Sequence, residues 1–214
     1  MLKPLSVVDS NRVKADLVAI TQTPNSRNYL NVATLDQVAD YIKAELGKVC
    51  DSVYFQTYRV GGKTYRNVVG SIGLQYAERM VVGAHYDVCG NQQGADDNAS
   101  GVAGMLELAR LLGAVRPNYR IDFVAFSLEE PPYFRSENMG SYIHAKYLAD
   151  NRISLMGMVC LEMIGYFDPS PRSQQYPVNA LKTLFGDEGD FISLDIHRMC
   201  LVIEAVFGAL SKWK

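Results

Sequence analysis

No run of about 18 apolar residues occurs in these 214 residues, which excludes a membrane-spanning helix of ordinary length. Charge of either sign is in short supply as an excess: the formal net charge is -2. A near-neutral balance gives no electrostatic reason to expect nucleic acid or an anionic membrane as partner. Paired cysteines are lacking too. Cys50, Cys89, Cys160 and Cys200 are scattered singly, with no CxxC, which argues against a structural zinc module and a dense disulfide framework. Histidine is rare, with three in the chain. The start, MLKPLSVVDSNRVKADL, lacks the continuous apolar core of a signal peptide. A cytoplasmic chain and an exported one whose leader precedes this sequence remain equally compatible with that, so the compartment is unassigned.

What is present is 48% hydrophobic residue content, enough in a chain of this length for one domain with a sizeable core, taken as 1–214. The centre of the pattern is RMVVGAHYDVCGNQQGADDNASGVAGMLELARLL, from Arg79 to Leu112. Met80 to Ala84 is an apolar run with the length of a strand buried on both faces. His85 and Asp87 follow at its end, two residues apart and therefore on one face. Gly94 to Gly101 gathers carboxylates and helix-cap formers before a periodic helix over Val102–Leu112.

Around this stretch, Val8–Thr21 reads as a helix capped by Asp9 or Ser10, and a second helix starts at Thr34 with Leu35, Val38, Ala39, Ile42 and Leu46 on one stripe. Val53–Val60 and Thr64–Ile72, joined by Gly61-Gly62, read as a hairpin whose second half lies beside the next strand. Ile121–Ser127 is a short strand ending in Leu128-Glu129-Glu130-Pro131-Pro132, where the prolines leave both glutamates on a loop. Ser136–Asp150 is amphipathic, helical from about Met139. Met156–Ile164 reads as a third buried strand carrying Glu162. A Pro/Ser loop over 168–177, a short helix over 179–185, a turn over 186–189 and a helix from Leu194 to Leu210 complete the chain. Alternation of strands and helices predicts an α/β three-layer sandwich, its sheet mixed and mostly parallel, with helices on both faces and the hairpin at its antiparallel part.

Two adjacent loop glutamates are ordinarily solvated charge, and a lone histidine is ordinarily a satisfied core residue. The combination points elsewhere. Three strand ends each deliver acidic or imidazole groups, at the end of the sheet where such folds build sites. Glu162 interrupts an apolar run that reads as buried, and a buried carboxylate needs a cation or several donors. A divalent zinc ion resolves that repulsion.

H-Y-D, then G-A-D-D-N-A-S-G, then E-E after an apolar strand, then L-E-M-I-G-Y resembles the co-catalytic di-zinc aminopeptidases, relatives of glutaminyl cyclase, over about residues 65 to 190. The resemblance implies a zinc-dependent exopeptidase acting on peptides with a free amino terminus. It makes His85 and Glu162 ligands of a first zinc, Asp97 a bridge, and Glu130 a ligand of the second. Asp87 would orient His85, and Glu129 would be the general base that takes a proton from water and returns it to the leaving amine. It also places a cis peptide at Asp97-Asn98. The family's distal histidine has no counterpart. His144 and His197 lie in segments that resemble non-ligand stretches, and the chain near Phe191 to Leu194 reads as the junction of an internal deletion that truncates the fold's C-terminal part. The resemblance then implies one well-provided zinc site, a second with only Asp97 and Glu130, and exposed apolar surface favouring self-association. His144 or His197 of a neighbouring chain is one way to supply the lost ligand. Two alternatives stay open beside the aminopeptidase: a catalytically impaired metal-binding or interaction remnant, and glutaminyl cyclisation.

Overall fold

A computed structural model of the chain describes residues 7–176 and 178–193. The chain divides into two compact units, one ending at Met163 and one beginning at Ile164. The first carries every candidate site residue.

Helix α1 spans Ser10–Thr21 and is capped by Asp9, whose carboxylate accepts from the N–H groups of Asn11 and Arg12. Helix α2, Val32–Gly47, buries the expected stripe of Leu35, Val38, Ala39, Ile42 and Leu46. Strands β1 (Ser52–Val60) and β2 (Lys63–Ile72) form the hairpin, and Gly61 and Gly62 both take positive φ (55° and 80°), the conformation that a tight two-residue turn requires. Strand β3 is Arg79–His85, helix α3 Gly101–Val115, strand β4 Arg120–Phe126, helix α4 Gly140–Asp150 and strand β5 Leu155–Cys160.

The sheet order is β1-β2-β4-β3-β5. β1 with β2 and β2 with β4 pair antiparallel, while β4 with β3 and β3 with β5 pair parallel. The sheet is therefore mixed, with a larger antiparallel share than the sequence suggests. β2 does not lie beside β3, as the sequence order predicts. β4 comes between them, because the crossover through α3 returns the chain to the near side of β3. The next crossover, through α4, runs the opposite way across β3 to reach β5. Opposite crossover directions put α3 and α4 on opposite faces.

Alternate residues divide the core accordingly. Val68, Ile72, Val82, Ala84, Ile121, Phe123 and Ala125 meet the layer of α1 to α3. Val69, Val81, Val124 and Phe126 meet Leu148 of α4. This is the three-layer α/β arrangement that the sequence predicts.

β5 departs from expectation. It is not a buried strand: among the described residues it forms the edge of the sheet, with Met156 and Val159 about two-fifths exposed, and it ends at Cys160. Glu162 lies past its end with 43% of its side chain exposed, so the inference that it is a buried carboxylate fails. An apolar run without alternation looks alike at the centre and at the edge of a parallel sheet, because periodicity carries no information about how many neighbours a strand has. Among the described residues no helix is long and apolar enough to cross a membrane.

The described part of the second unit contains a short helix α5, Asn179–Phe185, and an antiparallel bridge between Asp168 and Gly189. Tyr176, Phe185 and Phe191 stack with ring centroids 5.9–6.5 Å apart. The helix expected over 194–210, with His197, lies outside the described residues, as does one side of the expected junction.

Candidate metal centre

β3 delivers His85 to the carboxyl end of the sheet, 8% exposed. Its Nδ1 faces the backbone oxygen of Asp87 at 3.2 Å and the Asp87 carboxylate at 3.4 Å. With Nδ1 so engaged, Nε2 turns to the acids: Asp97 Oδ1 at 3.2 Å and Glu162 Oε1 at 3.4 Å. Burial alone would lower the pKa of this imidazole. The carboxylates of Asp87, Asp97 and Glu162 that face the ring outweigh it and hold the pKa well above the ordinary value. A proton on His85 thus does what a bound cation would do.

Asp97 owes its place to a break in helical geometry. Ala95–Ser100 forms one wide turn of π type before α3, and inside it Asp97 (φ -99°, ψ 97°) and Asn98 (φ -131°, ψ 40°) leave helical values. The Asp97-Asn98 peptide is cis, as the resemblance implies. Asp97 Oδ1 is buried without a hydrogen-bond partner, its contact with His85 falling outside hydrogen-bond geometry. The neighbouring Asn98, fully buried, ties two segments together. Its amide nitrogen donates to Leu161 O (2.8 Å) and Glu162 Oε2 (3.2 Å), and its Oδ1 accepts from the N–H of Gly101 and Met163.

Glu129 and Glu130 follow β4. Asp87, 2% exposed, accepts from both of their backbone N–H groups, Glu129 N on Oδ1 and Glu130 N on Oδ2, each at 3.1 Å. Asp87 therefore joins the ends of two strands as well as touching His85. Burial raises the Glu130 carboxyl to about 7, helped by the charge of Asp97. Burial also raises Glu129 to about 7, against Ser141, whose N–H and hydroxyl donate to its two oxygens, each at 2.7 Å. Ser141 stands in the first turn of α4, where N–H groups are free to bind an anion. Gly140 brings that turn close: an added Cβ would lie 2.1 Å from Asn67 Oδ1 and 2.6 Å from Ser127 O.

His85, Asp97 and Glu130 each offer a ligand atom, all within 4.8 Å of one another. Glu162 borders this cluster through His85 without joining it at that spacing. The unpartnered Asp97 oxygen, the neutralising role forced on His85, and a nitrogen-and-oxygen donor set all fit a divalent cation such as zinc. His144 is elsewhere: buried in α4, its Nδ1 lies 3.1 Å from Gln56 Oε1 and its Nε2 has no partner. That burial disfavours its service as a ligand to a neighbouring chain. Cys89 is half-buried and outside the cluster.

Sequence reasoning missed Asn98, Ser141 and Arg27. Asn98 was legible as a cap former before α3. Ser141, after a glycine at a helix start, carried the signal of an anion-binding turn. Arg27, in a turn of polar residues, carried none, yet it is 1% exposed.

An α/β/α sandwich with imidazole and carboxylates gathered at the ends of parallel strands defines a zinc-exopeptidase-like protein. The fold agrees with that of a Zn-dependent exopeptidase from Parabacteroides distasonis (TM-score 0.63, 23% identity, 78% of this chain and 65% of that one). It agrees equally with a Bacteroides thetaiotaomicron glutaminyl cyclase (TM-score 0.62, 21% identity, 75% and 64%). The sequence model described as Peptidase family M28 matches residues 67–185, and the chain belongs to that family. The uncharacterized protein YfbL of Escherichia coli is 42% identical over 183 residues, 82% of this chain and 56% of that protein. Aminopeptidase YwaD of Bacillus subtilis is 31% identical over 106 residues, 48% of this chain and 22% of that protein. The chain thus spans little more than half the length of the first of these relatives and about a fifth of the second.

Proposed function

We propose that this chain carries the metal site and general base of a zinc-dependent aminopeptidase, which hydrolyses the amino-terminal bond of a peptide. The observation behind this reading is the buried Asp97 oxygen without a hydrogen-bond partner, facing His85, with Glu130 in the same cluster. His85 Nε2, Asp97, Glu130 and Glu162 would hold the metal, one ion or two. When bound, zinc supplies Lewis acidity toward a carbonyl oxygen and acidifies water.

The chain's own residues supply the rest. Glu129, with its carboxyl raised to about 7, is poised to accept a proton near neutral pH and to return it to a leaving amine. Ser141 fixes the orientation of that carboxylate. Asp87 holds the imidazole of His85 and the peptide groups of Glu129 and Glu130 in one frame. A substrate recognised here is a peptide with a free amino terminus, its ammonium attracted by the excess of carboxylates.

The second reading is a metal-binding remnant without turnover. It is favoured by one fact: among the described residues, His85 is the only histidine at the site, and the resemblance calls for another. Metal content per chain after zinc exposure, with hydrolysis of a panel of aminoacyl-nitroanilides and Glu129→Gln as control, separates the two. Bound zinc with hydrolysis abolished in the control supports the enzyme. Bound zinc without hydrolysis above the control supports the remnant, and a chain that takes up no zinc sinks both.

A further inference from the structure

Arg27 lies between α1 and α2, distant in sequence from every candidate ligand, and is among the largest fully buried side chains of the described residues. A guanidinium removed from water is costly unless its donors are met and its charge is balanced. Each of its three nitrogens donates to a backbone carbonyl, and all three carbonyls come from one stretch. Nε donates to Tyr86 O at 2.7 Å, Nη1 to Gln93 O at 2.5 Å and Nη2 to Gly94 O at 2.5 Å. No carboxylate forms an ion pair with it among the described residues; Asp87 and Asp97 act on it across the gap. Burial lowers its pKa to about 10, and the charges of those two acids oppose the fall, so it remains a cation.

The grip extends along the same two segments. Val88 N–H donates to Arg27 O at 3.1 Å, and the Asn28 amide donates to Gly90 O at 2.5 Å. Tyr86 immediately follows His85, and Gly94 precedes Asp97 by three residues. At Gly94, with φ +61°, an added Cβ would lie 2.4 Å from Asp97 O and 2.7 Å from Arg27 Nη2. The loop between the two ligands is therefore held near both ends by one side chain and near its middle by the next.

We infer that Arg27, with Asn28 beside it, is a positioning pair for the metal centre, setting the separation of His85 and Asp97 before any metal arrives. This rests on the metal-site reading above. A planar fork with three separate acceptors does what a lysine cannot, since an ammonium has no fixed directions to offer.

The test is a Co(II) titration of the full chain, read by its visible absorption, with zinc competition to obtain affinities. Metal-free melting and far-UV circular dichroism are followed in parallel. Arg27→Lys keeps the charge and loses the fork, and its metal affinity falls about 10–100-fold, with an altered cobalt spectrum. Arg110→Lys is the control for plain destabilisation, because Arg110 binds Asp16, Glu45 and Glu107 and touches no candidate ligand. It lowers the melting temperature and leaves affinity and spectrum unchanged. If Arg27→Lys does not fold, Asn28→Ala carries the test, with a loss of about tenfold in affinity. Unchanged affinity and spectrum in a folded Arg27→Lys, or in Asn28→Ala where it stands in, overturns the inference. So does an equal loss in the Arg110 control. A wild-type chain that binds neither cobalt nor zinc overturns the metal-site reading instead.

Discussion

Two carboxylates near opposite ends of the sheet, Asp122 and Asp97, are treated in opposite ways. Near the amino end, Asp122 of β4 is 1% exposed and saturated. Ser71 Oγ donates to it at 2.6 Å, Arg79 Nη1 at 2.9 Å and Arg120 Nε at 2.7 Å. At the carboxyl end, Asp97 Oδ1 is buried with no hydrogen-bond donor, and Glu130 has its carboxyl pushed up to about 7. Arg27, whose charge reaches Asp97, spends its donors on backbone carbonyls. Both ends belong to one domain and are built from the same strands. A chain able to satisfy Asp122 so fully leaves Asp97 wanting, and the shortfall marks the end where a ligand belongs.

Removing the saturated carboxylate is the most damaging way to break this contrast. Asp122→Ala strands Arg79 and Arg120 without their partner and should cost about 3–5 kcal/mol in urea unfolding, with zinc affinity of the folded fraction unchanged. Next is acid. His144 is buried and neutral beside the same network, its pKa lowered to about 4 chiefly by burial. A depressed histidine means that the unfolded chain binds the extra proton first. His144 should therefore subtract up to roughly 3 kcal/mol of metal-free stability as pH drops from about 6.5 to about 4, against the opposite contribution of Glu129 and Glu130 with their raised carboxyls. Its share is read as the difference between the chain and His144→Leu in a pH-resolved unfolding series.

The converse change sharpens the contrast. Asp97→Ala deletes one of three carboxylates that, among the described residues, face the His85 imidazole and no arginine or lysine partner, so metal-free stability should fall by no more than about 1 kcal/mol, well short of the Asp122→Ala loss. Zinc affinity by competition titration should drop at least about 100-fold, roughly 2.7 kcal/mol. Smallest of all, Ser141→Ala removes one of two donors to Glu129. Zinc content should stay the same, and kcat/KM on an aminoacyl-nitroanilide should fall about tenfold.

What the sequence revealed follows the reach of each signal. β3, β4, the hairpin and α3 were legible because apolar runs, paired turn glycines and helical periodicity are local. His85, Asp97, Glu129 and Glu130 were legible because polar groups crowd just past apolar strands. Lateral order was not: nothing in Asn67–Ile72 says that β4 rather than β3 lies alongside. The edge position of β5 was equally hidden, and with it the exposure of Glu162. Arg27 escaped because its partners are carbonyls about 60 residues away, and every residue has a carbonyl.

One consequence of Asp87 concerns spacing. Its carboxylate closes a short ring of chain that runs from His85 through Asp87 to the peptide groups of Glu129 and Glu130. The spacing between the imidazole and the backbone of the two glutamates is set inside that ring by a handful of bonds, and from outside it only the first turn of α4, through Ser141, reaches the Glu129 carboxylate.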